Sequence, residues 1–204
     1  MGEILTRWPM KILAPIFALA LPAVAVDLTP LYIDTFADGA ASHRLYFADG
    51  EKKIGLSLDH ETQVAAGGGG VLFRYPKFPE ASFLVKHSPV TADQPFSGVA
   101  LERYREAARR LLPPGATEVK VLDEARDPLT INRWRSYRLA YTFTNGAVPM
   151  VQQITFLNLN ADEQLVLVAT ASERNFADVA GRSSQIIRTW QPMLPGDEKP
   201  VREN

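Results

Sequence analysis

The 204-residue chain has no cysteine, no excess of charge of either sign and few histidines. The lack of cysteine excludes disulfides, thiolate metal sites, a cysteine nucleophile and a lipid-modified cysteine. Twenty-two Lys and Arg residues against 23 Asp and Glu residues give a net charge of -1, so the basic excess typical of nucleic-acid binding is missing. The content of 46% hydrophobic and 22% charged residues is that of a folded globular protein rather than a disordered chain.

The N-terminal segment has the three parts of a secretory signal peptide. Arg7 and Lys11 form a positive region, an uncharged apolar run covers residues 12–26, and residues 23–25 have the small-x-small pattern of a cleavage site. This run is shorter than the roughly 20 residues of a membrane-spanning helix, although an uncleaved anchor is the alternative. We predict a signal peptide over residues 1–25, cleavage after Ala25, and a periplasmic or secreted product without a stable membrane anchor.

The remaining chain has the length of one domain, predicted over residues 26–190. Residues 191–204 are rich in Pro, Gly and charge, and we predict a disordered tail there. Alternating apolar residues and turn signals predict strands at 54–58, 71–75, 81–87, 118–122, 137–144, 150–156 and 164–171. Apolar residues at helical spacing predict helices over 101–111 and 176–190.

The strand at residues 164–171 is apolar on both faces, which is typical of a central strand that is covered twice. One predicted helix precedes the last three strands and one follows them. This order favours an α+β fold, namely an α/β/α sandwich with a mainly antiparallel β-sheet and helices packed on both faces.

Several of these segments together resemble the PsbP-like superfamily over about two-thirds of the mature chain. The segments that carry the resemblance are the Phe73 strand, the Leu101/Tyr104 helix, the strands at 131–143, 152–156 and 165–171, and the Phe176–Trp190 helix. Asn132 is followed by Arg133, where family members often have glycine. The resemblance implies the fold of that family and an accessory or assembly role in binding other proteins, with no shared catalytic residues.

A short cationic and aromatic cluster is the candidate binding site. Arg133, Trp134, Arg135 and Arg138 place an indole among guanidinium groups, which is a surface suited to acidic or aromatic partners. The alternative is that Trp134 packs inward at the start of a strand while the arginines extend to solvent.

Three other motifs share some features with catalytic or cofactor-binding sites. The glycine run 67–70 precedes a strand, whereas a phosphate loop precedes a helix, so a flexible hairpin loop is the favoured interpretation. The segment 55–59 lacks the second glycine of a hydrolase nucleophile elbow around Ser57. Asp59, His60 and Glu61, with His43 or His87, lack metal-site spacing. We therefore predict no catalytic residue, no metal and no cofactor.

The sequence favours a non-enzymatic accessory or binding module that contacts another exported or envelope protein and binds no nucleic acid. The first alternative is a carrier of a small apolar ligand or lipid, held among Tyr137, Tyr141, Phe143 and Phe156. The second alternative is a hydrolase.

Overall fold

The computed structural model describes residues 25–37, 40–50, 52–59, 61–92, 96–129 and 134–192. In chain order the strands are β1 (Asp27–Ala37), β2 (Ala40–Asp49), β3 (Lys52–Ser57), β4 (Gln63–Gly67), β5 (Gly70–Tyr75), β6 (Phe78–His87), β7 (Thr117–Arg126), β8 (Arg135–Asn145), β9 (Val148–Asn158), β10 (Gln164–Ser172) and β11 (Gln191–Pro192). The helices are α1 (Ala100–Arg109) and α2 (Phe176–Arg188). Among the described residues, neither helix is long and apolar enough to cross a bilayer.

Two of the predicted segments fall largely outside this part of the chain. Residues 1–24 of the predicted signal peptide and residues 193–204 of the predicted tail are not among the described residues. The first two residues of the predicted tail, Gln191 and Pro192, form β11 and pair with β3.

The strands form two antiparallel sheets. The smaller sheet has the order β1-β2-β3-β11, and the larger has the order β4-β5-β6-β10-β9-β8-β7. Strand β10 lies between β6 and β9, and eight of its nine residues are buried. Its side chains alternate between two core clusters, with Leu167 and Ala169 in one and Val166 and Val168 in the other. The prediction of a central strand covered on both faces is confirmed.

The predicted α/β/α sandwich is wrong, because the described chain forms two sheets and is mainly strand. Leu45 and Phe47 of β2, with Ile54 and Leu56 of β3, are buried in the same core as Phe73 of the larger sheet. The smaller sheet and α2 therefore together cover one face of the larger sheet. The prediction had placed only a helix on that face. The sequence pattern missed this layer because its apolar residues form one buried face only after β2 has paired with β3.

An aromatic cluster joins α1 to the larger sheet. Tyr104 of α1 is fully buried, with its ring centroid 4.9 Å from Phe156 and 5.7 Å from Tyr137. At the rim of this cluster, the Arg105 side chain donates to Glu124 of β7, and Tyr137 Oη also donates to Glu124 at 2.8 Å. The Arg105 guanidinium lowers the pKa of Glu124. The helix is thus attached by packed rings and by a charged contact to the last strand of the sheet.

Two of the hairpin turns predicted from the sequence are present in the structure. The predicted turn at Asn145-Gly146 joins β8 to β9, and Gly146 has a φ of +62°, which favours glycine. The glycine run forms the β4–β5 hairpin, where Gly67 pairs with Gly70 and Gly68 and Gly69 form the turn.

We expect Gly70→Ala to destabilise the fold, because a Cβ on Gly70 would lie 2.1 Å from the main-chain oxygen of Val85 on the paired strand. Forcing extra volume into a packed position costs about 1–3 kcal/mol. Gly67→Ala is the matched control in the same hairpin, since its Cβ would meet no heavy atom within 4 Å. Urea unfolding measures both, and a Gly70→Ala midpoint equal to that of Gly67→Ala would contradict the close approach.

Candidate recognition groove

The structure places the predicted cluster as follows. Arg133 lies outside the described residues. Trp134 is half-buried against the core, and its ring centroid lies 6.4 Å from that of Trp190 with the planes nearly perpendicular. The indole thus packs inward, which is the alternative given above for Trp134.

The two described arginines of the cluster lie on different sides of the sheet. Arg135 and Arg138 are three residues apart on β8, so their side chains alternate to opposite faces. Arg135 Nε donates to Asp127 Oδ1 at 2.8 Å, and Arg138 Nη2 donates to Asp123 Oδ2 at 2.7 Å. The structure does not bring Trp134, Arg135 and Arg138 into one surface, and their role in binding stays a prediction.

Arg138 faces a groove beside α2. The helix packs on β6 and β10 and touches β9, whereas the larger sheet continues past it through β8 to β7. Because the helix covers only part of the width of the sheet, an open depression of about 600 Å³ remains beside it, which we call the α2 groove. Its lining residues are Phe83, Leu129, Arg138, Gln153, Thr155, Leu167, Ala169, Ala180, Gly181, Ser183, Ser184, Gln185, Ile187 and Arg188.

The sheet wall of the α2 groove is polar because of the strand register. Arg138 on β8 pairs in register with Thr155 on β9, and Gln153 lies two residues along the same face. Thr155 is 3% exposed and lines the groove beside Arg138. An amide, a hydroxyl and a guanidinium therefore line one wall.

The helix wall adds hydrogen-bonding groups and a second cation. Ser184, Gln185 and Arg188 of α2 line the groove opposite the sheet. The wall is held in place because the hydroxyls of Ser183 and Tyr75 are 3.0 Å apart in the core. Burial raises the pKa of Tyr75 to about 12, so its phenol remains protonated across the physiological range. Together the walls offer donors and positive charge above an apolar floor.

This arrangement suits main-chain amides and carboxylates of an extended polypeptide. Amide side chains donate and accept, and guanidinium groups form strong charge-assisted hydrogen bonds with carboxylates. The sequence pattern did not single out the groove residues Gln153, Thr155, Ser184, Gln185 and Arg188. One local pattern concerns two of these residues, because Gln153 and Thr155 flank the buried Ile154 in the polar alternation of β9. This pattern does not indicate which element packs opposite them.

The other motifs have structural roles in the described residues. Ser57 N–H donates to Thr189 Oγ1 at 2.9 Å, which ties β3 to the end of α2. Asp59 accepts hydrogen bonds from Thr62 at the start of a turn and from Arg182 Nη1 at 2.7 Å. His60 lies outside the described residues, within which no cluster of three His, Cys, Asp or Glu side chains is placed to hold a metal ion.

The aromatic residues considered for an apolar ligand are packed in the core. Tyr137, Tyr141, Phe143 and Phe156 are each no more than 3% exposed. Tyr137 and Phe156 contact Tyr104 of α1 directly. These rings fill the space between α1 and the sheet, so the arrangement does not favour the carrier alternative at this position.

Comparisons with known proteins found matches among solved structures. No protein-family model matches the chain, and no curated protein matches its sequence. The solved structure of PsbP from Synechocystis sp. PCC 6803 matches with a TM-score of 0.44 and 12% identity, covering 68% of this chain and 85% of that one. The matching solved structures thus include a PsbP, which belongs to the superfamily that the sequence was found to resemble.

Two further structures match over most of their length. LpqN, involved in cell envelope biogenesis of Mycobacterium tuberculosis, has a TM-score of 0.49 and 9% identity over 81% of this chain and 92% of its own. The Ran-binding protein Mog1p of Saccharomyces cerevisiae has a TM-score of 0.43 and 11% identity over 81% of this chain and 96% of its own.

We expect Arg135→Met to raise the pKa of Asp127, because the hydrogen bond from Arg135 is the main cause that holds this pKa below its usual value. A lowered folded-state pKa stabilises the protein above the unfolded-state value of about 3.9, and this contribution is lost as the pH falls through the folded-state value. Both side chains are substantially exposed, so the loss of stability at pH 7 should stay below about 1 kcal/mol.

NMR titration of the Asp127 carboxyl measures this shift. Arg138→Met is the matched control, since Arg138 is paired with Asp123 and should leave the Asp127 pKa unchanged. Equal Asp127 pKa values in the wild type and in Arg135→Met would contradict the pairing.

Proposed function

We propose that this chain is an exported, non-enzymatic accessory module of the cell envelope that binds another exported or envelope protein through the α2 groove. Export to the periplasm, or secretion, follows from the positive region, apolar run and cleavage pattern in residues 1–25. The single observation that carries the binding role is the groove itself, with hydrogen-bonding walls, an apolar floor and an open top. The preferred occupant is an extended segment of the partner that carries a carboxylate.

The charge distribution supports an acidic partner segment. Arg138 and Arg188 line the groove from opposite walls, and Asp123 offsets one of the two charges. A carboxylate between the walls would interact directly with Arg188. It would also interact with Arg138, whose guanidinium is already oriented by Asp123. Charge complementarity of this kind raises association rates and excludes basic partners.

The edge of the larger sheet extends the same surface. Within the described residues, β7 pairs only with β8, and Val121 and Leu122 are 55% and 56% exposed. Exposed apolar side chains on an open edge are typical of sites where an extended partner segment is added. Two register shifts between β7 and β8 make the edge irregular, which disfavours unspecific pairing with other edges. Asp123 lies on β7, so this edge borders the groove through its contact with Arg138.

We expect Arg188→Glu to weaken capture of the partner by at least tenfold, because it places a carboxylate where the partner's own carboxylate is proposed to bind. Arg174→Glu is the matched control, since it makes the same charge change outside the groove. The measurement is native mass spectrometry of protein released gently from the periplasm, with circular dichroism to show that both variants fold.

A mass equal to the mature chain plus one second polypeptide, lost in Arg188→Glu and kept in Arg174→Glu, is the expected result. An added mass of a few hundred daltons would contradict protein binding and favour a carried ligand. Equal recovery of the partner with both variants would contradict the groove as its binding site.

A further inference from the structure

The carboxylate of Glu163 lies almost buried at the turn between β9 and β10. Glu163 is 8% exposed. Its main chain is fixed on both sides, because Leu159 N–H donates to its carbonyl at 3.0 Å and its own N–H donates to Asn160 Oδ1 at 2.9 Å. The turn therefore fixes the main chain that carries this carboxylate.

The hydrogen-bond partner of this carboxylate is the main-chain nitrogen of Val26. Val26 N donates to Glu163 Oε1 at 2.8 Å, and the bond is buried. His87 Nδ1 is 3.7 Å from the same oxygen, but this imidazole is charged only when protonated. Burying a carboxylate is costly unless a full positive charge and hydrogen bonds compensate it, and a neutral amide supplies only the hydrogen bond.

Val26 is also the residue that follows the predicted cleavage point. Its side chain is 2% exposed and Leu28 is 6% exposed, so both belong to the core, whereas Ala25 is exposed. Hydrolysis of the bond between Ala25 and Val26 adds hydroxide to the Ala25 carbonyl carbon and a proton to the Val26 nitrogen. At neutral pH the released amine takes up a second proton and becomes an ammonium group.

We propose that cleavage after Ala25 creates an α-ammonium group on Val26 that forms a buried ion pair with Glu163, so that processing itself completes the attachment of the N-terminal strand. This inference rests on the export step of the proposed function. The donor atom is already 2.8 Å from the carboxylate, so the pair requires no movement of β1 or of the turn.

The surroundings of the contact favour a cation at this position. A depression of about 230 Å³ opens beside it and is bordered by Ala25, His87, Asp162 and Glu163. Asp27 is the next residue along the chain, and hydrogen bonds from Thr29 lower its pKa, so it is a carboxylate at neutral pH. Glu163 is thus the carboxylate in contact with the Val26 nitrogen, His87 lies next to Glu163, and Asp162 and Asp27 are the other acidic groups of this region.

The experiment begins with the full chain exported from its own leader. Mass spectrometry of the product gives the first residue, which we expect to be Val26. The α-amine is then labelled by reductive methylation with a ¹³C reagent, which keeps its charge, and is titrated by NMR in the wild type and in Glu163→Gln. An ordinary α-amine has a pKa of about 7.7–8.0.

We expect the α-amine pKa in the wild type to be about one unit above that in Glu163→Gln, which corresponds to a tenfold preference for the charged form. Asp162→Asn is the matched control in the same turn and should change the α-amine pKa by only a few tenths. A raised amine pKa stabilises the fold below its unfolded-state value and loses this effect as the pH rises. Wild-type stability should therefore fall between about pH 8 and pH 10 even where Glu163→Gln does not fold.

Equal amine pKa values in the wild type and in Glu163→Gln would overturn the ion pair. A mature chain that starts at a residue other than Val26 would overturn it as well, while leaving export intact. Retention of the leader would overturn both the ion pair and the proposed export. Partner binding is measured separately, so its failure does not affect this result.

Discussion

The burial of β10 on both faces is the constraint on which the rest of the structure depends. Nearly every residue of this strand is removed from water, so each face of the larger sheet needs a covering layer. Tyr104 and its neighbours on α1 cover one face through an aromatic cluster. On the other face, α2 and the smaller sheet divide the area between them. The order of the strands places β10 in the middle of the larger sheet.

The α2 groove is a consequence of how these layers divide the sheet. Helix α2 is anchored over β6 and β10 by Ile186 and Ile187, and the sheet extends beyond it to β8 and β7. At that end, Arg138, Gln153 and Thr155 replace the apolar residues found under the helix. These three residues share one face of the sheet because Arg138 pairs with Thr155 and Gln153 lies two residues along β9.

Local patterns allowed the prediction of most strands and both helices. Alternation in β8 and β9, the Asn145-Gly146 turn and the apolar stripe of α1 each depend on residues close in sequence. The smaller sheet pairs β1, β2 and β3 as neighbouring hairpins, but its packing on the core and the orientation of Trp134 depend on distant residues such as Trp190. Trp134 packs on Trp190, and no local pattern distinguishes this inward packing from an exposed recognition surface. The candidate site was predicted only in part, since of the residues singled out in advance only Arg138 is observed to line the groove.

The sequence by itself determined the central position of β10 and the positions of the helices and hairpins, and it predicts an export signal. Each depends on composition or on a short periodicity that a single segment carries. Only the tertiary structure decided that the N-terminal residues form a second sheet, that Arg138 and Arg188 face each other across a groove, and that Val26 N lies 2.8 Å from Glu163. The groove and the Val26 contact join residues far apart in the chain, and the second sheet packs on a core that extends to Trp190, so none of these features is set by neighbouring residues alone.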